Sequence, residues 1–429
     1  MARAMARVWA LLLLGTRSAS LLPEEVELPD FTKLEPDSIY FFKLGDQKCG
    51  KGTDLYYGVV VPPKITTTNR YWIESMGGAV CFNEGSCTDK EFGVWLDLLS
   101  VIDRYAGSSA SMFGGSANLF RMLSSGQAVG MSLFRGLEAA YHPSREGAPL
   151  EGEVGLYFPS CTGDAGLGNY DVQYDSSTDT RHGGAVSYMV MLQALKRKNA
   201  NLERLTLIGA SGSAVSRVAW APTVADLFPS TQINVLADSA MHILPGTEAF
   251  NYFWENVQWS PNPSGKHDQA KIYAPQVAPL PTFDWRKQSW TSDMLRQYNG
   301  RIKVLYIACD KDSVAFSDRS GLSAYANLTI NTTVDEEMWD FLQRLTRDAP
   351  AGTVYTYVSQ GTCHHQSRSG FVAANAGAVV GPKEFTEQFL KGETPVNAHV
   401  WCCNKTPSES AYELSRAAGA APSLALLAL

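Results

Sequence analysis

Short apolar runs alternate with amphipathic segments along this chain. The runs have the length of buried strands, and each ends at glycine, at proline or close to an aspartate. They cover residues 71–76, 154–158, 205–208, 233–236 and 302–309. Between the second and third runs, apolar side chains from Val186 to Leu195 share one broad face of a predicted helix. Strands that alternate with helices in this way predict a mostly parallel sheet covered by helices on both faces.

The length of the chain fits one large domain or two smaller ones. With 429 residues, of which 45% are hydrophobic and 18% charged, the chain can bury a large core. We expect one α/β domain with inserted loops. The least periodic stretch, residues 252–285, combines aromatic residues with several prolines. It is interpreted as an inserted loop, either a surface excursion or a lid over a site.

The N-terminus has the pattern of a secretory signal. Arg3 and Arg7 precede an apolar run at residues 8–14, and small side chains follow at 18–20. We therefore expect residues 1–20 to be a signal peptide, with an apolar N-terminal helix as the alternative. The eight cysteines include no CxxC motif and suit an oxidising compartment. The possible glycosylation acceptors are Asn327, Asn331 and Asn404.

Composition limits the classes of partner. A net charge of −7 argues against nucleic acid as the main partner. The sequence contains no run of about 18 apolar residues, so we expect no membrane span. Residues 411–429 are interpreted as a frayed apolar tail; a lipid-anchor signal is the alternative, although a clear polar spacer is missing. The sequence leaves the oligomeric state open.

A serine directly after the third apolar run is the first candidate for chemistry. Ser211 lies within the sequence GASGS at residues 209–213, ahead of a helix-compatible segment that we expect Pro222 to limit. A sharp strand-to-helix turn exposes the serine oxygen and aims the next backbone N–H, that of Gly212, at a developing oxyanion. Ser213 replaces the second glycine of the strict GxSxG pattern, so an ordinary turn is the alternative.

Other strand ends supply the groups that a catalytic serine needs. Gly78 and Ala79 follow the first apolar run and are candidates for a second oxyanion donor. His364 and His365 follow a strand-like stretch at residues 353–358, where the general base of a Ser-Asp-His order is expected. We expect no metal site at this pair, because neighbouring residues rarely bind one ion together.

Three aspartates follow predicted strands and are candidates for the acid that orients the base. They are Asp238, Asp310 and Asp312. Only one of them can serve in that role, and the other two are expected to hold turns or cap helices. The residues by themselves leave the choice open.

Several ordered segments resemble a known family of enzymes. They are GGAVCFNEGSC at residues 77–87, FPSCTGD at 158–164, HGGA at 182–185, IGASGS at 208–213 and LADS at 236–239. In this order they resemble the pectin acetylesterase and Notum family of extracellular carboxylesterases. The resemblance implies an α/β-hydrolase fold over residues 21–410, a disulfide between Cys81 and Cys87, and an oxyanion hole formed by Gly78, Ala79 and Gly212.

The resemblance also selects among the open candidates. Asp312, in the sequence DSVA, is similar to the family's Asp-Ser-x-Gln segment, and Asp310 remains the alternate. His364, in the sequence HHQ, is similar to a His-x-Gln motif, with His365 as its alternate. The family likeness thus implies a triad of Ser211, His364 and Asp312. Such a triad requires neither a metal ion nor an organic cofactor.

The function that the resemblance implies is ester hydrolysis by a secreted enzyme, outside the cell or in a cell wall. The substrate would be an O-acyl group, acetyl first, on a polysaccharide or a glycoprotein. Removal of a lipid acyl group from a protein, as in Notum-like enzymes, is an alternative. Ala79 and Ser213 depart from the family's usual residues. Ser213 motivates a further alternative, an inactive member of the fold that binds glycans through its aromatic insertion.

Overall fold

The computed structural model describes residues 25–75, 87, 129–132, 148–159, 161–173, 179–240, 271–272, 287–312, 334–363, 380–395 and 398–402. The strands are β1 (Ser38–Lys48), β2 (Asp54–Val61), β3 (Arg70–Ser75), β4 (Val129–Ser132), β5 (Val154–Phe158), β6 (Tyr170–Gln173), β7 (Asp179–His182), β8 (Arg204–Ala210), β9 (Gln232–Asp238), β10 (Lys271–Ile272), β11 (Ile302–Cys309), β12 (Val354–Ser359) and β13 (His399–Trp401). The α-helices are α1 (Gly184–Lys198), α2 (Gly212–Leu227), α3 (Trp290–Tyr298), α4 (Val334–Asp348) and α5 (Pro382–Lys391).

A large mixed sheet organises these elements. It has ten strands in the order β13-β12-β11-β9-β8-β3-β5-β2-β1-β4. Every pairing from β13 to β5 is parallel, whereas β2, β1 and β4 continue the sheet in antiparallel fashion. A separate antiparallel sheet has the order β10-β6-β7. Together with the packed helices, this arrangement confirms the expected α/β-hydrolase-like fold.

The predicted strands and the crossover helix are confirmed. The apolar runs of the sequence correspond to β3, β5, β8, β9 and β11. Helix α1 connects the small sheet to β8 and buries Val186, Val190 and Leu195, with Met189 packed against the same core. Its last turn carries Lys196, Arg197 and Lys198, where cations stabilise the negative end of the helix dipole.

The prediction that Pro222 limits the helix after Ser211 is wrong. Helix α2 continues to Leu227 and contains Pro222 within it. An internal proline removes one helical hydrogen bond and costs about 3 kcal/mol or more in an isolated helix. Most side chains of α2 are buried, and the helix packs against β8, β9 and β11. This burial offsets the cost of the proline.

The described cysteines are all disulfide-bonded. Cys49 pairs with Cys161, and Cys309 pairs with Cys363. Cys87 is buried and bonded, but its expected partner Cys81 lies outside the described residues, so that pairing stays a prediction. The two described bridges are compatible with an oxidising compartment. No helix in the described part of the chain is long and apolar enough to cross a membrane.

Candidate active site at the carboxyl ends of the parallel strands

The carboxyl ends of four parallel strands meet at one edge of the sheet. These strands are β8, β9, β11 and β12, and the register pairs Ala210 with Asp238 and Cys309 with Ser359. Three backbone hydrogen bonds continue across this edge, from Ser211 N to Asp238 O at 2.8 Å, from Ser239 N to Ile307 O at 2.8 Å and from Asp310 N to Ser359 O at 2.9 Å. Ligands of open α/β sheets bind outside the carboxyl ends of the strands.

Ser211 lies in the turn between β8 and α2. Its backbone has φ 56° and ψ −130°, a conformation that residues other than glycine rarely adopt. Such strain costs of order 1–3 kcal/mol and persists only where the surrounding structure determines it. The nucleophile elbow of α/β-hydrolases is a strained strand-to-helix turn of this kind. The structure therefore places Ser211 as the sequence predicted, at the end of a central strand.

Close packing between β8 and α2 forces the turn to be tight. A Cβ atom on Gly209 would lie 2.4 Å from the carbonyl oxygen of Ser213 and 2.7 Å from the Cα of Ala214. Both neighbours are backbone atoms, which cannot rotate away as a side chain can. Only glycine fits at position 209, and this explains the first glycine of the GASGS sequence.

Gly209→Ala is expected to destabilise the fold by about 1–3 kcal/mol, because the added methyl pushes α2 away from β8. Urea unfolding followed by circular dichroism measures this change. Gly381→Ala is the matched control, since among the described residues no heavy atom lies within 4 Å of a Cβ at Gly381. Equal unfolding free energies for the two variants would contradict the tight turn.

The acid candidates lie at the same edge. Asp310 directly follows β11, Asp312 lies two residues further along the chain, and both are buried. The Oδ1 atom of Asp310 accepts a hydrogen bond from Gly361 N at 2.6 Å, which ties the end of β11 to the turn after β12. Asp238 is buried within β9, where its Oδ1 accepts a hydrogen bond from Ser239 Oγ at 3.1 Å.

A disulfide joins the acid segment to the segment that leads to the histidine pair. Cys309 is the last residue of β11 and directly precedes Asp310. Its partner Cys363 directly precedes His364 in the chain. The Cα atoms of Cys309 and Cys363 lie 5.6 Å apart. The disulfide thus holds together the residue before an acid candidate and the residue before the predicted base.

Several predicted site residues lie outside the described part of the chain. They are Gly78, Ala79, His364, His365 and the glycosylation candidates Asn327, Asn331 and Asn404. The aromatic insertion at residues 252–285 also lies outside it, apart from β10. The roles expected for these residues stay predictions. Within the described residues, no group of three or more His, Cys, Asp or Glu side chains is placed to hold a metal ion.

Asp164 organises the loop after β5, a role that the sequence analysis did not assign. Its Oδ1 accepts hydrogen bonds from Thr162 Oγ at 2.6 Å and Gly166 N at 2.8 Å. Its Oδ2 accepts from Gly168 N at 3.2 Å and from Gly184 N, in the first turn of α1, at 2.8 Å. The sequence GDAGLG at residues 163–168 could have indicated this role, because glycines let backbone N–H groups come close to a carboxylate.

A fully buried arginine supports the helix that begins at the turn. The guanidinium of Arg217 stacks on the ring of Tyr188 at 3.7 Å, a cation–π contact between α2 and α1. Its Nε and Nη2 donate to Ser216 Oγ at 3.3 and 3.2 Å. Burial lowers the pKa of Arg217, while Tyr188 opposes that shift. The indole of Trp220 donates to Gly166 O at 2.8 Å, which fixes α2 to the loop that Asp164 organises.

His182 is a structural histidine of the same region. It is fully buried, and burial lowers its pKa, so it is neutral at pH 7. Its Nδ1 lies 2.9 Å from the carbonyl oxygen of Thr162 and therefore carries the proton, because a carbonyl only accepts. His182 thus holds the loop after β5 against the end of β7.

Searches of protein-family models and of curated proteins found no match to this chain. A function for the chain therefore has to be argued from its own residues. The described geometry supplies a strained serine after β8, three buried aspartates at the same edge of the sheet, and a disulfide whose second cysteine directly precedes the histidine pair.

Proposed function

We propose that this protein is a secreted serine carboxylesterase that removes O-acyl groups, acetyl first, from a polysaccharide or glycoprotein. The observation that carries the proposal is the backbone of Ser211, with φ 56° and ψ −130° between a central parallel strand and a helix. In ordinary turns, residues other than glycine rarely adopt a backbone conformation of this kind, because it is strained. A nucleophile elbow adopts such a conformation, because the sharp turn places the serine beyond the end of the strand. Ser211 itself is 5% exposed.

The start of α2 provides part of the electrostatic stabilisation. Gly212 is the first residue of the helix, and N–H groups in the first turn of a helix lack acceptors within it. The positive end of the helix dipole lies at the same place. When Ser211 Oγ attacks the ester carbonyl, negative charge develops on the carbonyl oxygen, and Gly212 N–H donates to it. Gly78 and Ala79 are proposed as the other donors.

Proton transfer is assigned to His364 and Asp312. His364 takes the proton from Ser211 Oγ and gives it to the departing alcohol, which leaves an acyl-enzyme. Water then attacks with the same histidine as base, and the carboxylic acid is released. Asp312 orients the imidazole and stabilises its positive charge. We prefer Asp312 to Asp310 because the sequence that begins at Asp312 is similar to the family's Asp-Ser-x-Gln segment.

The contacts of Ser213 favour the esterase proposal over an inactive glycan-binding member. That alternative was motivated by Ser213, which departs from the glycine of the strict motif. The Ser213 side chain is fully buried within the turn and hydrogen-bonded to Ala210 N at 2.9 Å. It fits the strained turn instead of distorting it. The choice of acetyl over a lipid acyl group rests on the family resemblance alone.

Covalent labelling with a fluorophosphonate tests the proposal. We expect the folded protein to take one label, located by mass spectrometry on the peptide that contains Ser211, and protein unfolded in urea to take none. Hydrolysis of p-nitrophenyl esters from acetate to palmitate then measures chain-length preference. A preference for esters with long acyl chains would favour removal of a lipid acyl group over removal of acetyl. Folded protein that is neither labelled nor active on any ester would overturn the proposal.

A further inference from the structure

The hydroxyl of Ser213 occupies a specific place between two neighbouring strands. β3 and β8 pair in parallel, with Ser75 opposite Gly209 at the end of the ladder. β8 ends at Ala210 and α2 begins at Gly212, so the ladder cannot continue. There Ser213 Oγ accepts a hydrogen bond from Ala210 N at 2.9 Å and lies 2.9 Å from the carbonyl oxygen of Ser75.

The hydrogen-bond chemistry of serine determines the direction of this contact. A hydroxyl has one hydrogen and two lone pairs. The backbone N–H of Ala210 uses one lone pair, so the hydroxyl hydrogen is free to donate, and both Ser75 O and Ala210 O lie at 2.9 Å as acceptors. The single hydrogen is shared between these two acceptors, and when Ser75 O receives it, Ser213 Oγ forms a hydroxyl bridge between the end of β8 and the end of β3. Glycine at this position, as in the strict motif, has no atom to form it.

Ser213 is itself held firmly in place. Its side chain is fully buried, and its carbonyl accepts a hydrogen bond from Ser216 Oγ at 2.9 Å. Ser216 Oγ in turn accepts hydrogen bonds from Nε and Nη2 of the buried Arg217. These contacts connect Arg217 through hydrogen bonds to the backbone of Ser213, whose side chain carries the bridging hydroxyl. Since these three residues are buried, water has little access to them.

We propose that Ser213 is a positioning residue, whose hydroxyl sets the distance between the nucleophile turn and the strand end that leads to Gly78 and Ala79. The inference rests on the proposed esterase function. β3 ends at Ser75, three residues before Gly78, so the bridge fixes the root of the predicted oxyanion loop relative to Ser211. Misplacement of reacting groups by about 1 Å can cost a factor of about 100 in rate.

Ser213→Ala tests the inference, because it removes the hydroxyl and leaves the turn otherwise filled. We expect the rate of fluorophosphonate labelling per folded molecule, and kcat, to fall about 10- to 100-fold with little change in KM. Hydrogen exchange at the Ala210 amide is expected to accelerate, since its acceptor is lost. A purely structural serine would lower stability without this split between kcat and KM.

Ser187→Ala is the matched control. Ser187 is a buried serine near the start of α1, and its Oγ donates to Gly183 O at 3.0 Å, so its loss also removes one buried hydroxyl. We expect wild-type labelling rates from this variant. If the wild-type protein is labelled and Ser213→Ala has the same kcat and labelling rate, the positioning role is overturned and the proposed function is not. Absence of labelling in the wild type would overturn the proposed function and this inference with it.

Discussion

Ser211→Ala is expected to lower kcat for the preferred ester by about 10⁴-fold or more, with KM nearly unchanged. The alanine keeps the backbone turn and the N–H of Gly212 but removes the oxygen that attacks the carbonyl. Residual hydrolysis would come from water that reacts within the remaining oxyanion site. Steady-state kinetics on p-nitrophenyl esters measure the effect, and fluorophosphonate labelling is expected to disappear in the same variant.

The matched control for this prediction is Ser292→Ala. Ser292 is also buried, and its Oγ donates to Ser289 O at 2.9 Å in the first turn of α3. Because this hydrogen bond lies within the first turn of α3 and involves none of the proposed site residues, kcat is expected to stay within about twofold of wild type. If Ser211→Ala keeps more than about a tenth of wild-type kcat, Ser211 is not the nucleophile.

Asp164→Asn is expected to cost about 3–5 kcal/mol of unfolding free energy. The carboxylate accepts four hydrogen bonds, three of them from backbone N–H groups that belong to the loop after β5 and the first turn of α1. An amide of the same shape presents its NH₂ group to some of these donors, which leaves them unpaired in a buried site. Urea unfolding at low temperature, followed by tryptophan fluorescence, measures the change.

Asp340→Asn provides the comparison for Asp164→Asn. Asp340 pairs with Arg344 on the exposed side of α4, and its side chain is 60% exposed. Surface ion pairs contribute about 0–1 kcal/mol, so the same chemical substitution is expected to change stability little. A loss of less than about 1 kcal/mol in Asp164→Asn would show that the loop does not depend on this carboxylate.

The sequence contains enough information to predict the central strands and the strand-to-helix turn at Ser211. β3, β5, β8, β9 and β11 are nearly continuous apolar runs with clear ends, which is typical of strands buried on both faces. β13 has only three residues and is a strand because it pairs with β12. Its sequence is too short to show a period, so it could not be predicted in this way.

The contacts around the turn could not be predicted because they depend on which strands become neighbours. Ser213 and Ser75 are 138 positions apart, and nothing local to either residue indicates the other. The position of Pro222 inside α2 could not be predicted for the same reason, since α2 accommodates this proline only through its burial against the sheet. By contrast, Ser211 was identifiable because small residues and the preceding strand are features of adjacent sequence.

The sheet order has a consequence for the way in which the chain folds. β1 and β2 pair as a local hairpin and can form early, whereas β3 lies between β5 and β8, which come later in the chain. The turn at Ser211 also needs the carbonyl of Asp238, so it closes only after β9 is in place. Until β5 and β8 pair with it, β3 is an apolar strand with two open edges, the kind of segment that aggregates. Expression at lower temperature is therefore expected to raise the folded yield.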